Sequence, residues 1–527
     1  MIRALIHGFC FLLTKVMTIL YLPKLLYYKC VSPKRCPPVS DPIYFLPATK
    51  LAARIRTGEV SSARTVEAYI NRIKEVNPVL NAVVEERFDA ALEEARLVDA
   101  YVARGEMSVQ KIGEKYPLLG VPITIKEVVA VAGMSQNGGY KGNGPIRRAD
   151  KDADCVAQLK SAGVIILLVS NTPELCYNWE TFNHVTGRTL NPYDTRRTCG
   201  GSSGGEAVLL ASCASVIGVG SDVVGSLRLP PTFCGIYGHK PSPQLISTIG
   251  HLPPCTDEEL YKFVFSFGPM TRYAVDLPIL TNIMAKPNMR QSANLLQEVD
   301  PQTINVYYME SSGEFVTDKV NEDIVNAIRK VIRRLKISGI FTKKIQLEEM
   351  SDSLDLTFLF LLNIKTLEHA FSYGKSFCLE VIKTLFCMGS VIPNAFFYAC
   401  VKVMFKWFSS DERNQRNMKL VADFREKFIN ILGDDGVFIY PAFPATAHFH
   451  DQIYSKFLNT AYLGIFNVLG FPVTICPLGV DTKGLPIGIQ VVAKPFNDKL
   501  CFAMAKELEK NFGGWTPPPY TKQIHNI

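Results

Sequence analysis

No asparagine in the chain starts an N-x-[ST] sequon, no cysteines stand in C-x-x-C spacing, and no H-E-x-x-H motif occurs. The missing sequons favour the cytosolic side of a membrane over a glycosylating lumen. The 14 cysteines are scattered and mostly sit in apolar contexts. That pattern reads as buried free thiols in a reducing compartment, without a disulfide framework. Without H-E-x-x-H a zinc hydrolase has no support. His448 and His450 with Asp451 lack further ligands, so they read as a surface loop and no metal is expected. There is no fixed-period repeat, no low-complexity tract and no dense Lys/Arg stripe interleaved with aromatics, which leaves nucleic acid without a footprint.

What the chain does have is length and apolar content. Its 527 residues, 47% of them hydrophobic, suffice for one large α/β domain or two to three smaller ones. The formal charge of +8 suits ordinary solubility or contact with an anionic membrane surface. From Ala4 to Tyr28 an apolar run is interrupted only by His7, Lys15, Pro23 and Lys24, and Lys29, Lys34 and Arg35 follow it. No small-x-small cleavage site comes after it, so it reads as a retained membrane anchor, spanning or lying in the interface. If it spans, the basic flank places the bulk of the chain in the cytosol. Pro37, Pro38 and Pro42 mark a linker, giving an anchor over 1–40 and a second unit over 41–527.

Residues 47–104 read as helices, with Ser61 and Ser62 as caps and Asn77-Pro78 as punctuation. From 117 to 280 short apolar runs bounded by Gly and Pro appear at 120–126, 163–170 and 214–221, with helical pattern between them. Such alternation predicts an α/β sheet with helices on its faces. Residues 300–430 read as mostly helical, and strand-like runs return between 437 and 493. The very apolar stretch 378–408 fits either a buried helix pair or a membrane-facing, lipid-binding patch.

Two segments carry the candidate chemistry. Gly200-Gly201-Ser202-Ser203-Gly204-Gly205-Glu206 sets four glycines around two serines. It is not a phosphate loop, because Glu206 stands where a lysine is needed. The second, Gly220-Ser221-Asp222-Val223-Val224-Gly225-Ser226-Leu227-Arg228, presents a serine at a Gly-flanked turn after a strand, as a nucleophile requires. Its base is open at this level. His239 is near in sequence but lies in no motif for that role. Lys126 ends an apolar strand, where desolvation would free its amine, yet it could equally snorkel or form an ion pair.

GGSSGGE followed by GSDVVGSLRLP resembles the amidase-signature hydrolases. The likeness extends through PLLGVPITIKE, AGVIILLVSNTPELC, NPYD, FCGIYGHKPSP, GDDGVFIYPAFP and GLPIGIQVVAKPFND, roughly residues 45 to 515. The most similar branch is that of fatty-acid amide hydrolase 2 and its invertebrate relatives. The resemblance implies an α/β amidase-signature fold: a large twisted mixed β-sheet covered by helices, with a hydrophobic N-terminal helix. It implies Ser226 as nucleophile, Ser202 as bridging serine on a cis peptide bond and Lys126 as base. Backbone N–H groups of Val223, Val224, Gly225 and Ser226 would form the oxyanion hole, and no cofactor is needed. The expected substrates are lipophilic amides such as fatty-acid primary amides or N-acylethanolamines; a homodimer is left open. Val224 departs from the family's usual glycine. If that position needs positive φ, the valine is strained and a catalytically impaired or silent lipid-binding protein becomes the alternative; if not, the valine only adds bulk near the acyl group.

Overall fold

The computed structural model describes residues 2–141, 144–254, 258–361, 363–364 and 410–518. The stretch 378–408 lies outside the described residues. Eleven strands form one mixed sheet: β1 (Val83–Glu86), β2 (Pro122–Lys126), β3 (Ile165–Ser170), β4 (Ile217–Asp222), β5 (Tyr237–Lys240), β6 (Ser266–Thr271), β7 (Asn305–Tyr308), β8 (Thr342–Lys344), β9 (Gly436–Pro441), β10 (Val473–Val480) and β11 (Pro486–Ala493). Their order across the sheet is β1-β3-β2-β4-β6-β5-β10-β11-β9-β7-β8. β2 runs parallel to both β3 and β4, while β4–β6, β5–β6 and β10–β11 are antiparallel. The central strands are buried along their whole length and read as continuous apolar runs, as strands covered on both faces must.

The helices that matter below are α1 (Ile2–Cys30), α2 (Ala48–Arg56), α3 (Ser62–Leu80), α4 (Phe88–Arg104), α5 (Asp154–Ser161), α6 (Gly204–Ala211), α7 (Leu229–Cys234), α8 (Glu322–Ile337), α9 (Ser353–Leu361), α10 (Ala461–Val468) and α11 (Asp498–Phe512). α6 packs on β2, β4 and β6, α7 on β5, β10 and β11, and α11 on β10 and β11. The predicted cap holds: Ser61 Oγ accepts the Arg64 amide at the start of α3. Asn77-Pro78 does not end α3, which runs on to Leu80. The Asn77 side chain accepts the amides of Ala82 and Val83 and Asn81 turns left-handed, so the final turn is satisfied despite the proline.

Three strands arise where helix was wholly or mostly expected. β1 lies inside 47–104 and β7 and β8 inside 300–430. Each has at most four residues, too few for alternation to show against neighbouring helices, and two of them, β1 and β8, are the sheet's outer edges.

α1 does not stand apart. Cys10 is fully buried among Leu354, Leu359, Phe457 and Ala461. His7 Nε2 is 3.1 Å from Asp355, Tyr21 donates to the His450 carbonyl at 2.6 Å, and Lys24 pairs with Asp451 at 3.0 Å. Leu12, Ile19, Leu20 and Leu26 stay exposed, each more than half accessible. By length and composition it is apolar enough to cross a membrane from Cys10 to Cys30.

Candidate active site

β2 and β4 are parallel neighbours, so their C-terminal ends meet on one edge of the sheet. That is where open α/β sheets place their ligands. Lys126 is the last residue of β2, and Ser221 and Asp222 are the last of β4. The glycine-rich loop that leads into α6 arrives at the same edge. The peptide between Gly201 and Ser202 is cis, as the resemblance implied.

Lys126 Nζ lies 2.6 Å from Ser202 Oγ and 3.1 Å from Ser221 Oγ, with no solvent exposure. Burial disfavours its ammonium and moves its pKa below the usual lysine value; Cys176, Asp222 and Glu206 pull the other way and lose. Glu206, on α6, accepts from Thr124 at 2.7 Å, and burial pushes its carboxyl up to about 7. Thr172 donates to the Ser202 carbonyl at 3.1 Å, tying the serine loop to the segment after β3.

Ser226 follows the β4 end on a turn that Asp222 organises. Asp222 takes the amides of Gly225 (2.6 Å) and Leu227 (2.9 Å) and pairs with buried Arg228 at 3.1 Å. Burial alone would raise the Asp222 pKa, but Arg228, Asn467 and the Leu227 amide outweigh it and hold the carboxylate at about 2. Breaking a buried pair of this kind by removing one partner costs about 3–5 kcal/mol. These two residues therefore shape the turn.

Of the four expected oxyanion donors, three remain available. Among the described residues the amides of Val223, Val224 and Ser226 donate to no protein acceptor. The Gly225 amide is different, because Asp222 already occupies it. Among the described residues Ser226 Oγ has no protein hydrogen bond, and the residue is buried at 8% exposure, so Lys126 and Ser202 are joined while the Ser226 hydroxyl is unengaged.

Val224 is not strained. Positive φ falls on Gly225, at 101°, where a Cβ would also lie 2.6 Å from Leu463. The Val224 carbonyl accepts from Trp179 Nε1 at 2.7 Å. Its side chain fits because residue 464 is glycine: a Cβ there would lie 3.0 Å from Val224 Cγ1 and 2.5 Å from Thr357.

The other histidine readings resolve differently. His239 is buried between Thr474 (2.9 Å) and Asp498 (3.1 Å) and makes no contact with Ser226. His448 and His450 are not on a surface loop. Both are buried, with His450 held between Glu180 (2.9 Å) and the Thr195 carbonyl (3.0 Å), partners more than 200 residues away in sequence. Reasoning from sequence also passed over Ser221, Thr172, Trp179 and His251. Ser221 and Thr172 sit inside the quoted segments, but Trp179 and His251 carry no local signal.

Residues 64–502 match the sequence model of the Amidase family. The chain is 40% identical over 494 residues to fatty-acid amide hydrolase 2 of Homo sapiens, covering 91% of this chain and 92% of that protein. It is 39% identical over 497 residues to fatty-acid amide hydrolase 2-B of Danio rerio, covering 92% and 93%. Among solved structures, a fatty acid amide hydrolase superposes with TM-score 0.71 at 21% identity, covering 90% of this chain and 87% of that one. A 6-aminohexanoate cyclic dimer hydrolase superposes with TM-score 0.73 at 22% identity, covering 92% and 100%. At that identity the structures speak for the fold alone. The chain belongs to the amidase family and is an amide hydrolase, similar over most of its length to fatty-acid amide hydrolase 2.

Proposed function

We propose that the protein hydrolyses lipophilic amides, such as fatty-acid primary amides or N-acylethanolamines, through an acyl-enzyme on Ser226. One observation carries this reading: the fully buried Lys126 amine stands 2.6 Å from Ser202 Oγ. A neutral amine there takes the Ser202 proton as Ser202 takes that of Ser226. Ser226 attacks the carbonyl, and the free amides of Val223, Val224 and Ser226 receive the developing oxyanion. Ser202 then returns the proton to the leaving nitrogen. Water hydrolyses the ester by the same relay.

Two features support an apolar acyl group. The curated relatives bear the name fatty-acid amide hydrolase. Trp179, bonded to the Val224 carbonyl, packs at once against a cluster of Leu229, Phe233, Phe443 and Leu463 and against the cluster that holds Cys10 of α1. The silent-protein alternative rested on a strained Val224, and the backbone gives it no support.

A fluorophosphonate probe tests the reading. It is expected to phosphonylate Ser226 with loss of fluoride, the adduct being located by mass spectrometry, and to react slowly or not at all with Lys126→Ala and Ser202→Ala. A folded wild type that resists the probe would sink the proposal.

α1 attaches the enzyme to a membrane by lying in the interface. Its contacts at His7 and Lys24 are about 25 Å apart along the helix, from a rise of about 1.5 Å per residue, and both reach the folded body. The exposed leucines then face lipid, with Lys15 and Lys29 at headgroup depth. An alkaline carbonate wash is expected to release the full chain from membranes. Retention in the pellet would show that the helix spans.

A further inference from the structure

We propose that His251 is a positioning residue: acting through Ser221, it aims the lone pair of Lys126 at Ser202. The proposal rests on the reading of Lys126 as the base. His251 Nδ1 is 2.8 Å from the Pro253 carbonyl, which can only accept, so Nδ1 carries the proton and Nε2 is an acceptor. Ser221 Oγ stands 3.2 Å from Nε2 and must therefore donate to it. That leaves Ser221 only lone pairs to offer Lys126 Nζ, 3.1 Å away. A neutral amine has two N–H bonds and one lone pair. With one N–H directed to Ser221, the lone pair is left for the Ser202 hydroxyl at 2.6 Å, the proton it has to take. Were Ser221 free to turn, its own O–H would occupy that lone pair and block the relay.

The surroundings fix this direction. The His251 loop is stitched to the backbone just beyond Lys126: Leu252 N donates to Val128 O and Ala130 N to Gly250 O, both at 2.9 Å. Gln136 Nε2 donates to the Gly250 carbonyl at 2.8 Å. The ring packs on Phe265 and Phe267, with centroids 4.6 and 5.6 Å away. Among the described residues, Ser221 Oγ has no partner besides Lys126 and His251. Burial, with Lys126 as the charged neighbour, holds the His251 pKa down to about 3, so the ring stays neutral wherever the enzyme works. Cys176, Asp222 and Glu206 face Lys126, favour its charged form and do not touch the Ser221 hydroxyl. No motif marks His251, and its contribution comes entirely from where the fold puts it.

The test is the pH dependence of kcat/KM for amide hydrolysis. His251→Phe fills the space but accepts nothing. The freed Ser221 hydroxyl then caps the neutral amine, lowering the plateau about tenfold, the worth of one competing hydrogen bond. Because the cap favours neutral Lys126, the acid limb moves to lower pH as the rate falls. His251→Gln, whose amide oxygen can accept from Ser221, restores the rate to within a few-fold and returns the limb. In a Ser221→Ala background, changing His251 to Gln or Phe moves neither plateau nor limb further; if His251→Phe does not fold, His251→Leu, smaller and equally unable to accept, is expected to give the same fall and the same limb shift. A limb shifted to higher pH would mean water entry and loss of packing, and an unchanged profile would mean no coupling; either overturns the proposal. Lys126→Ala in parallel separates the two readings. If it retains full activity, the base assignment itself has failed; if it is inactive while His251→Phe behaves as wild type, only the role of His251 has.

Discussion

Ser226→Ala lowers the rate of amide hydrolysis by about a millionfold while leaving thermal unfolding unchanged. The magnitude follows from removing the nucleophile of a unit whose members act together, for which losses of this order are known. The residual rate belongs to substrate binding and the oxyanion amides alone. The unchanged stability follows from the geometry: among the described residues Ser226 Oγ makes no protein hydrogen bond, so alanine breaks none. The turn itself is held by Asp222 through the Gly225 and Leu227 amides and by Arg228, none of which needs the hydroxyl. Combining Ser226→Ala with Ser202→Ala is expected to cost little more than Ser226→Ala alone, because the bridging serine has nothing left to deprotonate. Single-turnover rates beside melting curves check both parts. A variant that keeps more than about a hundredth of the wild-type rate would show that another group is the nucleophile.

The proposed triad was legible in sequence only through its motifs. Composition and periodicity placed β2, β3 and β4 within three residues at either end, since buried parallel strands write themselves as continuous apolar runs. Spacing alone could not choose between Lys126 and His239 as base. The proposal of Lys126 rests on the fold: β2 and β4 are parallel neighbours that carry Lys126 and the Ser226 turn to the same edge, whereas His239 is held in an Asp498–Thr474 network beside α11. The short strands β1, β7 and β8 were lost for want of length. The burial of His448 and His450 could not be read locally either, because the groups that pack on them, Phe233 on His448 and Glu180 and Thr195 on His450, come from far along the chain.

Val224 shows a different limit. The sequence marks it as a departure from a glycine pattern and suggests strain. Whether strain exists depends on φ, which no pattern supplies, and on the space opposite, which here is left by Gly464. Gly225 carries the left-handed conformation, and the valine costs nothing in the backbone. The same turn distinguishes the four amides expected at the oxyanion hole. A motif gives four consecutive amides equal standing, but a carboxylate stands 2.6 Å from the one at Gly225.

Lys126→Ala is expected to slow amide hydrolysis about a hundredfold more than hydrolysis of an ester with the same acyl chain. Lys126 does two things, and they weigh differently on the two substrates. As base it helps Ser226 attack either carbonyl. As the source of the proton that Ser202 hands on, it matters chiefly for nitrogen, which leaves poorly unless protonated, whereas an alkoxide leaves more readily. General acid assistance of this kind is worth about 10²–10⁴-fold. The pH dependence carries the same signature. Only neutral Lys126 can take a proton, so kcat/KM rises with pH through the lysine pKa and falls as pH drops below it. Burial sets that pKa below the ordinary lysine value, which brings the limb toward neutral pH. Glu206, with its carboxyl pushed up to about 7, ionises near Lys126; its charge then favours the ammonium and spreads the limb over a wider range. Glu206→Gln removes that charge, so the limb is expected to steepen and move to lower pH. Paired amide and ester kinetics across pH decide the matter. If Lys126→Ala leaves the amide-to-ester ratio unchanged, delivery of the proton to nitrogen does not run through the lysine, and the buried contact with Ser202 serves nucleophile activation alone.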